Sequence, residues 1–341
     1  MGEFLADHTT LQLGGPADQF LTHTDPTAWP DLPRAAQGDG KTPFVLGGGS
    51  NTLAADTGFP GTVIRMATRG ITARPRDRDQ VEVVAQAGEQ LGSLVAFTVA
   101  EGLSGIEYLG GIPGTVGAAP VQNTGAYGQQ ISDTLTSITA HDWQHGHTVE
   151  LRPADCCFGY RSSIFKSRPG RWTILTVTLR LTRSPLAAPV TYGHLASALN
   201  VPLGSRPPLA EAASGVVADR EARGLTLPAS GPEARQAGSA FLNPPVTDEQ
   251  AAAVRAAGGP IHTDMQGVMR ASSGWLLAQC GYQPGIPLAD GVFCSSHRVL
   301  TVTVRDGASS EDVARVLRTM ASRVRTAFGV QLHPEIVPLG L

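Results

Sequence analysis

Over the first 66 residues, apolar positions come in short runs separated by turns, PFVLGGGSN and GTVIRM being the clearest. Their β-branched content predicts strands in a small mixed domain. From about residue 68 to 184 the strand pattern continues in VEVVAQAG and RWTILTVTLRL, around one predicted helix at LGSLVAFTVAEG, which describes a second mixed domain. Residues 200–237 are rich in Pro, Ala and Gly, with an amphipathic piece at GVVADREARG, and are expected to contain the passage into a third domain. Ser310 then precedes an acidic first turn, and Val313, Val316, Leu317, Met320, Val324 and Phe328 recur at helical spacing before Gly329, predicting a capped amphipathic helix. GVQLHPEIVPLG reads as a final strand or extended tail returning to another domain, and there is no internal repeat or low-complexity stretch.

Composition narrows the function more than the fold. With 341 residues, 41% hydrophobic and 16% charged, the chain suits two or three domains. The net charge of -3 has no long run of one sign behind it, so no nucleic-acid partner is expected and a small-molecule partner fits better. No stretch approaches the roughly 20 apolar residues that span a bilayer, and the amino terminus lacks the basic-then-apolar build of a secretion signal. The expectation is a soluble cytoplasmic protein without membrane insertion. Cys156, Cys157, Cys280 and Cys294 are too few and too irregularly spaced for a disulfide framework or zinc cluster, and read as reduced, mostly buried thiols.

Two glycine-rich segments could hold a phosphate-bearing ligand. In LGGGSN, Gly47, Gly48 and Gly49 precede Ser50 and Asn51 after a short strand, so backbone amides can turn inward on a pyrophosphate. The longer segment GLSGIEYLGGIPGTVGAAPVQNTGAYG spaces Gly111, Gly114 and Gly117 three apart around Pro113, followed by Asn123, Gly125 and Tyr127. Either segment alone reads as an ordinary tight turn; together they favour a ligand. The dinucleotide fingerprint of the Rossmann fold is not met, because Gly47, Gly49 and Thr52 fill the places of its three glycines. A Walker loop fails as well: Gly40, Lys41 and Thr42 have the right ending, but Ala35 stands at the first glycine.

At these segments the sequence resembles the UDP-N-acetylenolpyruvoylglucosamine reductase (MurB) family, in particular its type I members, and the resemblance continues through TTLQLGG, YRSSIFK, GSAFLNP, GWLLAQCGY and PEIVPLG. It implies an α+β fold: a two-part FAD-binding region of the PCMH/vanillyl-alcohol-oxidase type plus a C-terminal α/β substrate-binding domain. The expected division is 1–67 with 330–341, 68–218 and 219–329. FAD would be held without a covalent bond by Gly47 to Asn51, by Gly111, Ile112, Pro113, Gly114, Thr115, Gly117 and Ala118, and by Asn123, Gly125 and Tyr127. NADPH would be the co-substrate, and the enolpyruvyl group of UDP-N-acetylglucosamine enolpyruvate would be reduced to a lactyl group in peptidoglycan precursor synthesis.

Such a reaction places a hydride on one alkene carbon and a proton on the next, while density is drawn through the carboxylate. By the resemblance, Arg161 would grip that carboxylate, Ser239 would donate the proton, and Glu335 would assist the charge redistribution, protonated or through a shared water. On the residues alone, Ser239 is a turn residue and Glu335 a solvated acid. Tyr192 in PVTYGHLASAL resembles the mobile tyrosine loop of type I members, against a bland alternative of a half-buried core tyrosine. Asn243 would contact the uridine or sugar, and Lys166 and Arg270 the diphosphate.

Departures from the family pattern fall in the substrate region. Ala240-Phe241-Leu242-Asn243-Pro244 stands where Phe-Phe-Lys-Asn-Pro is common, removing one cation. His333 stands where many members have an acid, and 204–236 is unusually long. His141, His145 and His147 flank Asp142 in a segment that reads as a solvated hairpin tip rather than a metal site, and Trp275, Leu276 and Leu277 read as helix core. Two other functions compete: an oxygen-using oxidase on a similar flavin fold, of which many tether FAD through a histidine where Ser50 and Asn51 stand here, and a nucleotide-sugar binding module without turnover.

Overall fold

The computed structural model describes residues 2–36 and 41–341, so Gly40 of the near-Walker sequence lies outside the described residues. The chain forms two compact units. One joins Met1–Asp18, Gly49–Pro60 and Leu227–Leu341; the other joins Gln19–Gly48 and Gly61–Thr226. This differs from the three-part expectation, and the reason lies in the apolar contacts. Leu11, Leu13 and Leu53 share one core with Phe241, Leu276, Val302, Met320 and Ile336, so the beginning and end of the chain belong to a single packed body.

The Gln19–Gly48 and Gly61–Thr226 unit is built on a six-stranded sheet. Its five-strand path runs His147–Leu151, Leu135–Asp142, Trp172–Arg183, Gln80–Gln86 and Ile71–Pro75, and Leu103–Ser104 pairs with the end of the long strand. All pairings are antiparallel, with Val177 opposite both Ile138 and Ala85. Gln80–Gln86 alternates strictly: Val81, Val83 and Ala85 are buried, and the residues between them are half-buried. That period of two fits a strand with one face on the core. The helix Leu91–Ala100 covers the core with Leu91, Leu94 and Val95. A shorter parallel pairing sets Phe44–Leu46 beside Phe59–Met66, with Val45 opposite Ile64, and delivers the chain into the first glycine segment.

The histidine-rich segment is a hairpin, but His141 does not belong to its solvated tip. It is buried on the Leu135–Asp142 strand, edge-on to Trp29 at 5.5 Å and to Trp143 at 4.7 Å, in a stretch where Ala140, His141 and Asp142 are all buried after a register shift at Thr139 and Ala140. His23 meets Trp29 at 5.1 Å from the other side. Burial pushes both histidines below their ordinary value of 6.5, opposed by Asp25 beside His23 and Asp142 beside His141, and reinforced by His147. Asp142 is held well below the usual carboxylate range, first by Arg171, which donates to it from Nε at 2.9 Å and Nη2 at 2.8 Å.

A histidine whose folded pKa lies below its unfolded pKa binds fewer protons when folded. Its stabilising contribution is therefore complete above 6.5 and lost as pH falls through that value toward the folded pKa. The denaturant midpoint is expected to fall between about pH 7.5 and about pH 5.5, and to fall less in the double variant His23→Gln, His141→Gln. Equal slopes in parent and variant would remove the two histidines as the cause.

In the Leu227–Leu341 unit, four antiparallel strands lie in the order Gln236–Ser239, Thr301–Val304, Val292–Cys294 and Pro287–Ala289. The helix Ser310–Phe328 lays Val313, Val316, Leu317, Met320 and Val324 on this core, as its spacing predicts, and ends on Gly329 in the left-handed region at φ 65°. Its cap is Ser309, which forms a capping box with Asp312. Ser310 is the first helical residue and is bound instead to Asp56, through its amide at 2.6 Å and its hydroxyl at 2.9 Å. The tail forms a final strand, Val337–Leu339, but pairs in parallel with Thr52–Ala54 of the same unit and not with another domain. The helix Ser273–Gln279 buries Leu276 and Leu277, while Trp275 packs against Phe328.

Candidate active site and cofactor cradle

The two glycine segments meet. A Cβ on Gly47 would stand 2.5 Å from Thr115 Oγ1, and one on Gly48 would stand 3.3 Å from Gly114 Cα, so side chains at either position would force the segments apart. The second segment runs along residues 87–91: Gly117 donates to Ala87 O and Val116 to Glu89 O, and Leu91 donates to Gly114 O. Gly111, Ile112, Pro113 and Gly114 are half-buried, Ala118 is exposed, and the Thr115 hydroxyl is buried with no hydrogen-bond partner among the described residues. A buried donor left open beside glycine backbone is the signature of a place where a ligand completes the hydrogen bonding.

Arg161 is fixed to this same segment. It sits at φ 49°, and its guanidinium donates from Nη2 to Gly125 O at 2.7 Å and from Nη1 to Asn123 O at 3.3 Å. Lys166 Nζ donates to Arg161 O at 3.1 Å, stabilising that left-handed backbone. Asn123, itself left-handed at φ 44°, has its carboxamide engaged inside the protein, with Gln130 Oε1, Gly159 O and the Ser132 amide. Its side chain therefore holds the arginine-bearing loop, and its carbonyl orients the guanidinium.

Arg220 is a residue that the sequence reading missed. On the helix Leu209–Ala222 the buried stripe is Leu209, Ala212, Val216 and Arg220, so a guanidinium occupies a core position. It is 8% exposed, donates from Nη2 to Leu225 O at 2.8 Å, and leaves Nε without a partner among the described residues. A Cβ on Gly111 would be 3.4 Å from that Nε. Burial lowers its pKa, opposed by Tyr127 and reinforced by Arg223 and then Arg161. Two arginines beside one glycine segment make an electropositive site. An arginine inside an apolar helical stripe was the available signal. Tyr127 stands nearby: its hydroxyl donates to Asp219 Oδ2 at 2.6 Å, and burial, then that carboxylate, raise its pKa to about 12. Tyr192 is 54% exposed, its ring 6.4 Å from that of Tyr127, which sets aside the half-buried core alternative.

The Leu227–Leu341 unit brings Ser239 and Glu335 onto neighbouring segments. Ser239 ends the strand Gln236–Ser239, after a register shift against Thr301–Val304 and after Gly238 at φ 72°. The next residue, Ala240, accepts from the Glu335 amide at 2.9 Å, and Leu242 donates to His333 O at 3.0 Å. Asn51 Nδ2 donates to Glu335 O at 3.0 Å, so the asparagine after the glycines also positions the acid. Ser50 is half-buried in the same loop. Asn243 Oδ1 accepts from the Ser273 amide at 3.0 Å, and Asn243 O accepts from Arg270 Nη1 at 3.1 Å. Arg270 also binds the buried Asp264 at 2.7 Å and, after the opposing effect of burial, holds its carboxyl below the ordinary value.

Comparison with known proteins accounts for both units. Residues 19–152 match the model of an FAD binding domain, and 231–339 match the UDP-N-acetylenolpyruvoylglucosamine reductase C-terminal domain. The UDP-N-acetylenolpyruvoylglucosamine reductase of Salinispora arenicola is 42% identical over 98% of this chain and 93% of its own length. That of Thermobifida fusca is 38% identical, over 99% and 97%. The chain belongs to the UDP-N-acetylenolpyruvoylglucosamine reductase family. A crystal structure of the reductase from Thermus caldophilus superposes with a TM-score of 0.65 at 25% identity, covering 98% of this chain and 97% of that one.

The residues present fit the flavin cofactor of this family. Glycine at 47 and 48 lets the first segment lie directly against Thr115 and Gly114, and Thr115 Oγ1 and Arg220 Nε are buried polar atoms with no hydrogen-bond partner among the described residues. A pyrophosphate and a polar ring edge are acceptor-rich partners for such donors. Among the described residues no helix is long and apolar enough to cross a membrane.

Proposed function

We propose that this chain reduces UDP-N-acetylglucosamine enolpyruvate to UDP-N-acetylmuramate with NADPH, as a cytoplasmic step of peptidoglycan precursor synthesis. The observation that carries the reading is that an FAD-binding match and a C-terminal match specific to this reductase family divide one chain that aligns with its relatives almost end to end. FAD, when bound, supplies the route by which a hydride from NADPH reaches the enolpyruvyl carbon.

The chain's own residues bind and steer. Arg161, oriented by two carbonyl groups, holds the substrate carboxylate and stabilises the charge that develops on it. Ser239 Oγ gives a proton to the carbon next to that carboxylate, and Glu335, set by Ala240 and Asn51, assists the charge redistribution. Asn243 and Tyr192 would contact the nucleotide sugar, and Lys166 or Arg270 its diphosphate. Thr115, Arg220 and the glycine backbone hold FAD.

The test is the absorbance spectrum of the purified protein, followed anaerobically. Flavin bands that bleach with NADPH and return with the enolpyruvyl sugar are expected. A protein that stays colourless after FAD is supplied, or bands that do not return with the sugar, would overturn the function.

A further inference from the structure

Glu107 is completely buried and makes no salt bridge among the described residues, an expensive arrangement for a carboxylate unless donors satisfy it. They do. Oε1 accepts from Ser104 Oγ at 3.0 Å and from the Ala188 amide at 2.6 Å, and Oε2 accepts from the Gly105 amide at 2.6 Å. The next residue, Tyr108, is equally buried and donates its hydroxyl to Ala188 O at 2.5 Å, while Gln129 Oε1 accepts from its amide at 2.8 Å. Two consecutive side chains thus hold both backbone polar groups of a single residue 80 positions away, and they do so immediately before Gly110 and Gly111 of the cofactor segment.

Ala188 lies at the root of the Tyr192 segment. Its neighbours are bonded from the far side, Ala187 N to Pro207 O and Val190 N to Ser205 O, both at 2.9 Å. Beyond Val190 the chain reaches Thr191 and the exposed Tyr192. There it rests on the Tyr127–Gly128 turn, whose φ values are 51° and 87° and where a Cβ on Gly128 would stand 2.5 Å from Thr191 Oγ1. The cofactor segment therefore touches the Tyr192 segment twice: through Glu107 and Tyr108 at its root, and through Tyr127 and Gly128 at its tip.

We infer that Glu107 and Tyr108 are positioning residues that lock the root of the Tyr192 segment to the cofactor segment, so that the exposed ring meets the nucleotide sugar in one orientation. The inference rests on the reading of Tyr192 as a substrate contact. A carboxylate suits the task because three donors converge on it and none of its atoms must donate; a glutamine would turn N–H toward N–H.

The test uses the FAD-loaded enzyme and the enolpyruvyl sugar. Tyr108→Phe keeps the ring and removes one hydroxyl. It is expected to raise KM for the sugar about tenfold with kcat and the rate of NADPH-driven flavin bleaching little changed, and to speed hydrogen exchange at residues 188–192. Glu107→Gln is expected to act in the same direction. Combining Tyr108→Phe with Tyr192→Ala should raise KM no further than Tyr192→Ala alone, since the lock acts through that ring. If Tyr192→Ala raises KM and Tyr108→Phe and Glu107→Gln do not, the lock is refuted while Tyr192 keeps its role. If Tyr192→Ala leaves KM unchanged, its substrate role fails and the lock with it. Equal loss in both half-reactions would mark Glu107 and Tyr108 as structural only and overturn the inference.

Discussion

Ser239→Ala is expected to leave NADPH-driven bleaching of the flavin absorbance unchanged and to slow its return with the enolpyruvyl sugar by about 10²- to 10⁴-fold, the usual contribution of a positioned proton donor. The two halves separate because the serine acts only on the enolpyruvyl carbon. The fold tolerates the change: Ser239 is paired with Thr301 through backbone, and the neighbouring bonds from Ala240 N to Leu300 O and from Glu335 N to Ala240 O are also backbone. Rapid-mixing absorbance of each half-reaction decides it. Equal slowing of both halves would refute the proton-donor role.

Arg161→Lys is expected to lower kcat/KM for the enolpyruvyl sugar by about 10²- to 10³-fold while FAD stays bound, as loss of a preorganised charge-stabilising donor does. The charge is preserved, so the effect isolates geometry. A guanidinium spans Asn123 O and Gly125 O through two nitrogens of one rigid plane; an ammonium is a single point that must abandon one partner to serve another. Steady-state kinetics, with flavin content measured after gel filtration, checks both parts. Activity within about threefold of the parent would remove the carboxylate grip from Arg161.

Much of the scaffold was legible because local periodicity and local burial agreed. The alternation in VEVVAQAG became the strand Gln80–Gln86, and the spacing from Val313 to Val324 became the buried face of Ser310–Phe328. Both depend only on neighbours a few residues apart. The cap moved from Ser310 to Ser309 for a non-local reason: Asp56 engages Ser310, 254 positions away. His141 was misplaced in a solvated tip because the segment's polarity hid its burial on the strand.

The site divides along the same line. Sequence alone determined the residue types that the chemistry requires and the glycine runs where backbone must come close, since motif spacing and the absence of a Cβ are properties of the chain itself. It also carried the family resemblance that full-length identity supports. Only the tertiary structure decided that Gly47 and Gly48 face Thr115 and Gly114, that Asn123 and Lys166 brace Arg161, that Asn51 and Ala240 set Glu335, and that Arg220 and Glu107 are buried. Those facts rest on hydrogen bonds and desolvation between residues far apart in sequence, where an arginine or glutamate has the same letter whether it is solvated on a surface or held inside the fold.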